Sequence, residues 1–181
     1  MTENIESVLE FWFDRLTPED WFVKKEAIDQ EMIRRFSGLH VMLSREISDD
    51  WRADPEARLA LIIVLDQFPR NIFRGSPHAF ATDGLALREA KAAIAAGADQ
   101  AVPDERRFIF YMPFEHAEDM AEQDRAVELF TALGNANYLD YAVRHRDVIA
   151  RFGRFPHRNP ILGRESTAAE AEYLAQPGAG F

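Results

Sequence analysis

At 181 residues, 47% hydrophobic and 29% charged, the chain has the length and composition of one ordinary globular domain with a full core. It has no cysteine, which excludes a disulfide framework, a thiolate nucleophile and a thiolate metal site. A net charge of −10 argues against a nucleic-acid partner, and the longest dense apolar run, residues 59–65, is too short to span a bilayer.

The start, Met1-Thr2-Glu3-Asn4, is polar and lacks the basic beginning of a signal peptide, so a cytoplasmic protein is expected. Ile5, Val8, Leu9, Trp12 and Phe13 then follow the i, i+3, i+4 spacing of an amphipathic helix. Thr17-Pro18-Glu19-Asp20 reads as an N-cap, a proline in the first turn and acids on the helix dipole. The next helix carries Ile28, Met32, Phe36, Leu39, Leu43 and Ile47, with Gly38 as a point of weakness. Asp54-Pro55 opens a helix over residues 56–67 that is apolar almost all round and is expected at the centre of the fold.

Thr82 or Asp83 caps a helix ending at Ala96, with Gly97 following it. Pro103 starts another that runs through Phe108 and Tyr111 to Pro113. Residues 114–133 and 137–152 read as two further helices closed by Gly134 and Gly153. Thr167-Ala168-Ala169-Glu170 is a capping box for a last helix, followed by a Gly/Pro-rich tail from Pro177 that is expected to fray. The sum is an all-α fold: a single domain over residues 1–181, with seven to nine antiparallel-packed helices.

One phrase occurs twice. Asp66-Gln67-Phe68-Pro69-Arg70-Asn71 and Arg154-Phe155-Pro156-His157-Arg158-Asn159 each combine Phe-Pro with Arg-Asn and lead to a glycine turn. The proline is expected to stop a helix, and the Arg and Asn place directional donors at the stop. The second copy lies in residues 144–164, where six arginines face one aspartate; that segment is +5 and the remainder −15. Three polar residues also interrupt apolar stripes: Asp66, His116 (one turn before Met120) and His145. A carboxylate or imidazole facing a core must be paired, since burying it alone costs several kcal/mol.

These residues have two readings: structural pairs that fix helix register, or a pocket. In the pocket reading His116, His145 and Asp66 are the acid–base candidates. Arg70, Asn71, Arg74, Arg154, His157, Arg158 and Asn159 hold a small anionic ligand, because guanidinium groups suit carboxylate and phosphate. A metal-dependent activity using His116 and His145 is a further alternative, with Asp119 an i, i+3 helix neighbour of His116. No His-Glu-x-x-His motif, phosphate loop or Gly-x-Ser-x-Gly elbow is present, and no cofactor is indicated. Glu118, Asp119 and Glu122 are expected to be ordinary first-turn acids. His40 and His78 are expected in surface or loop positions. Phe11-Trp12-Phe13, Trp21-Phe22 and the aromatics of residues 108–114 are expected in the core.

Four segments carry a resemblance: residues 8–13, 65–71, 111–116 and 151–159. In these motifs and their order the chain resembles the largely bacterial family called domain of unknown function 924. That resemblance implies an all-α fold related to tetratricopeptide-like helical arrays, and no activity. The array in turn suggests a second functional reading, a scaffold binding an acidic peptide. Nothing in the sequence indicates an oligomeric state.

Overall fold

A computed structural model describes residues 3–180 apart from the side chain of Phe22; the start Met1-Thr2, Phe22 as a core anchor and Phe181 lie outside the described residues. The protein is all-α, with no strand among the described residues. Its helices are α1 (Ile5–Leu9), α2 (Pro18–Phe22), α3 (Glu26–Arg45), α4 (Pro55–Ile62), α5 (Phe68–Ile72) and α6 (Asp83–Ala95). They continue with α7 (Asp104–Arg107), α8 (Met112–Glu115), α9 (Met120–Leu133), α10 (Ala136–Phe152), α11 (Asn159–Leu162) and α12 (Ala168–Leu174). The segments outnumber the expected helices because several runs are interrupted by wide or tight turns. The chain forms two compact units, one of residues up to Arg74 with His78–Pro113, the other of Gly75–Pro77 with residues from Phe114 on. No described helix is long and apolar enough to cross a membrane.

In the first unit α3 packs on α5, and α4 packs on α1 and α6. Residues 59–65 are all at most 1% exposed, as a helix apolar on every side requires. α3 runs unbroken through Gly38. Phe11, Phe36 and Phe68 form an aromatic centre, with centroid separations of 5.1 Å for Phe11–Phe36 and 4.5 Å for Phe36–Phe68. In the second unit α9 and α10 pack along their length, joined by Gly134 and Asn135. Gly134 at φ 78° ends α9, and Asn135 caps α10 through its side-chain oxygen.

Two expectations are corrected. Pro69 does not stop its helix: α4 continues through a wide turn, Ile63–Gln67, directly into α5. A proline removes the donor for the carbonyl four residues earlier, here Leu65. Thr82 Oγ1 supplies that missing donor, bonding to the Leu65 carbonyl at 2.6 Å. The hydroxyl then accepts from His40 Nε2 at 3.1 Å. His40 is the second correction, since it is 5% exposed on α3 and not a surface residue, and burial pushes its pKa down. His78 is exposed, as expected.

This relay makes a specific prediction. Thr82→Val is expected to cost about 1–3 kcal/mol by leaving a buried carbonyl unsatisfied. In a Pro69→Ala background the restored amide serves Leu65, so the same substitution should cost less. A denaturant-unfolding double-mutant cycle measures the difference.

Candidate functional site

The first Phe-Pro phrase puts its ring in the core and its donors on carboxylates. Phe68 is fully buried. Arg70 Nη2 reaches Asp66 Oδ1 at 3.3 Å and Asp83 Oδ1 at 3.0 Å, and its guanidinium lies 5.6 Å from the Phe80 ring. Burial opposes the Arg70 charge most strongly, but the two aspartates outweigh it and hold its pKa above the ordinary value. Asn71 and Arg74 meet on Asp29 of α3: Asn71 Nδ2 at 2.7 Å, Arg74 Nε at 2.8 Å and Arg74 Nη2 at 3.0 Å. Burial of Asp29 works against its ionisation, yet these donors together keep its carboxyl below the usual range.

The second phrase does the same work in the other unit. Gly153, at φ 69°, ends α10, and Phe155 turns its ring inward with no exposure. Arg154 grips Glu170 of α12 through two bonds, Nε to Oε1 at 2.6 Å and Nη2 to Oε2 at 2.8 Å. Asn159, also fully buried, donates to Ser166 Oγ at 3.1 Å and Glu170 Oε2 at 3.4 Å, and accepts from Arg164 Nε at 2.9 Å. Arg164 in turn holds Glu118 by a bidentate pair at 2.7 and 2.9 Å, and Glu118 accepts the Phe155 amide at 2.7 Å. Arg70, Asn71, Arg74, Arg154 and Asn159 therefore engage the chain's own carboxylates.

Glu170 sets the acid limit of this network. The Arg154 hydrogen bond, followed by the Thr167 amide, holds its carboxyl at about 2. A depressed folded-state pKa contributes stability above the unfolded value and loses it as pH falls through the folded one. The Glu170 contribution should thus be full at neutral pH and vanish between about pH 4.5 and 2. Glu170→Gln should flatten the stability–pH curve in that window, as acid titration followed by circular dichroism will show.

The remaining candidates gather around Phe155. His145 of α10 is 5.5 Å from its ring, His157 is 5.6 Å, and the Arg158 guanidinium carbon sits 4.6 Å over it. The His116 and His145 rings are 6.3 Å apart. His145 Nδ1 lies 2.8 Å from Glu115 Oε1 and 2.9 Å from the Tyr141 carbonyl. Both neighbours accept, so Nδ1 carries a proton. Both His145 and Glu115 are 6% exposed.

The loop carrying Glu115 and His116 is held by its backbone carbonyls. Gln123 Nε2 of α9 bonds the Glu115 carbonyl at 2.7 Å and the Ala117 carbonyl at 2.8 Å, and Arg158 Nη2 bonds the His116 carbonyl at 3.1 Å. His116 accordingly precedes α9 and is not a turn of it. Asp119 is the N-cap, accepting from the Ala121 and Glu122 amides, so the expected i, i+3 pairing of His116 with Asp119 on a helix is corrected. Glu115 is the residue sequence reasoning missed as a partner of His145; it sat in a dense acidic run with nothing to single it out. Among the described residues no group of three or more His, Asp or Glu side chains is arranged to hold a metal ion.

The protein is thus all-α, with a buried His145–Glu115 pair beside the Arg158 guanidinium over the Phe155 ring. The chain belongs to the family described as bacterial protein of unknown function (DUF924), whose model matches residues 8–178. It is also similar to a protein of unknown function, ATU0120, from Agrobacterium tumefaciens. The two are 47% identical with a TM-score of 0.90, over 94% of this chain and 96% of the other. No curated protein matches the chain.

Proposed function

We propose that the second unit carries a binding centre for a small anionic ligand, a carboxylate or phosphate, with His145 as its proton-exchanging group. The observation that supports this is the convergence of His145, His157 and Arg158 on the Phe155 ring, with His116 beside His145. Arg158 brings the planar guanidinium that suits carboxylate and phosphate, and imidazole is the side chain suited to proton exchange near neutral pH. Glu115 and the Tyr141 carbonyl hold the His145 ring through Nδ1. Gln123 positions the loop, and the Phe155 face supplies the apolar wall that strengthens the electrostatics.

A thermal-shift screen of phosphorylated and carboxylated metabolites, with and without divalent metals, tests the reading. A ligand at one hundred times its Kd adds about 2.7 kcal/mol, on the order of 5–10 °C for a chain of this size. Arg158→Lys should lower the unliganded Tm, through its His116 carbonyl bond and Phe155 contact, and on top of that lose most of the ligand-dependent shift, because lysine cannot reproduce the planar donor geometry. A shift that appears only with metal would replace this account with the metal-dependent one. Absence of any stabilising anion would overturn it.

A further inference from the structure

Beyond α12 the second unit carries a short return in which residues 176–180 fold back beside α10. Composition marks this stretch for fraying, yet its bonds give it a defined path. The Gln176 amide donates to the Tyr173 carbonyl at 3.1 Å, and the Ala179 amide to the Gln176 carbonyl at 3.2 Å. Arg144 Nη2 of α10 reaches the Gly178 carbonyl at 3.5 Å. The path then meets His157. Among the described residues, Gly180 is the one glycine of nine at which a Cβ would have a neighbour within 4 Å. That atom would stand 3.2 Å from His157 Cβ, 3.6 Å from Cγ and 3.9 Å from Nδ1. Gly178 and Gly180 have φ of 77° and 86°, values glycine takes without steric cost.

The stretch is lightly held. Residues 175–178 are exposed. Residues 176–179 border a groove of about 290 Å³ along α10, so they bridge the helix surface more than they pack on it. The Arg144 bond is long for a hydrogen bond and exposed. Few buried contacts and exposed backbone bonds mark a segment that opens locally at little cost. What it covers is not incidental. His157 lies 5.6 Å from the Phe155 ring, on which His145 and Arg158 also converge.

We propose that residues 176–180 are a strap over the His157 side of the anion centre, and that an anion enters only when the strap lifts off His157. This rests on the anion-binding reading above. With the strap down, Gly180 covers one side of His157; with it raised, the imidazole is accessible. A ligand that binds only the open form has its apparent affinity reduced by the fraction of chains that are open. A change that raises this fraction should therefore tighten anion binding by the same factor.

Diethyl pyrocarbonate, which acylates accessible neutral imidazole, reads the strap one histidine at a time in mass spectra of the full chain. In wild type His157 should react several-fold more slowly than the exposed His78. Gly180→Val drives a side chain against His157 at a φ that valine does not adopt. It should raise the His157 rate about tenfold, with His78 and the buried His40 unchanged. Gly178→Val, whose side chain would meet nothing within 4 Å, acts through φ alone and should change the rate in the same direction. Both variants should keep the wild-type Tm, since no core side chain is touched. Inorganic phosphate should protect His157, half-maximally at about tenfold lower concentration in Gly180→Val than in wild type. A wild-type His157 rate equal to that of His78, or no acceleration in Gly180→Val, overturns the strap. Acceleration with phosphate protection at the wild-type concentration overturns its gating of the centre. Acceleration with no phosphate protection in any of the three proteins overturns the anion centre itself, while the covering of His157 stands.

Discussion

Replacing Asp66 by alanine is expected to cost about 3–5 kcal/mol of folding stability, the usual result of removing one partner from a buried ion pair. Asp66 has no exposure, and Arg70 relies on it and on Asp83 to offset burial. Without Asp66 the guanidinium keeps only its 3.0 Å contact to Asp83, and Gln67 Nε2 loses its carboxylate acceptor. Asp66→Asn should cost less, because the amide oxygen still accepts from Gln67. An Asp66→Leu/Arg70→Met double variant should recover much of the loss, since apolar replacement of a whole buried pair is often tolerated. Urea unfolding of the four proteins decides this. If Asp66→Ala unfolds like wild type, the pair is not what holds α5 in place.

Phe155→Ala should be comparably damaging, about 3–5 kcal/mol and on the order of 10 °C in Tm. The ring is fully buried against Val148 and Ile149, so its removal leaves a cavity in the smaller unit's core. It also removes the common surface on which His145, His157 and Arg158 rest. Phe155→Leu keeps much of the volume and should fold with a far smaller loss. In that variant anion binding should weaken more than stability does, because the cation–π contact to Arg158 is gone. Differential scanning calorimetry alongside ligand titration separates the two effects. Equal loss of both would make Phe155 a packing residue only.

The repeated phrase shows how far the sequence reads. That Phe68 and Phe155 anchor cores follows from the apolar stripes they extend, and the glycine stops at 97, 134 and 153 follow from chain chemistry alone. Helix caps at Thr17, Asp54 and Thr167 were legible for the same reason: each bond closes within a few residues. Partners that arrive from afar were not legible. Nothing local in the sequence shows that Asp29 answers Asn71 and Arg74, or that Glu170 answers Arg154. Pro69 misled because its effect depends on Thr82, thirteen residues on, which supplies the hydrogen bond the proline cannot. The burial of His40 does have a local signal, since it falls four residues after Phe36 and next to Leu39 on the buried side of α3. His116 looked helical because a stripe of apolar residues followed it; Gln123 instead ties its loop down by the carbonyls.

We propose above all that His145, His116 and Arg158 form an anion-binding centre. Nitrogen-15 spectra of the imidazole rings, recorded near pH 6.5 while inorganic phosphate or citrate is added, test it most directly. The account predicts a saturable shift of Nε2 in His145 and His116 with one anion per chain, while His145 Nδ1 keeps its proton and His40 and His78 stay unchanged. A linear drift without saturation, or equal shifts at the exposed His78, would contradict it.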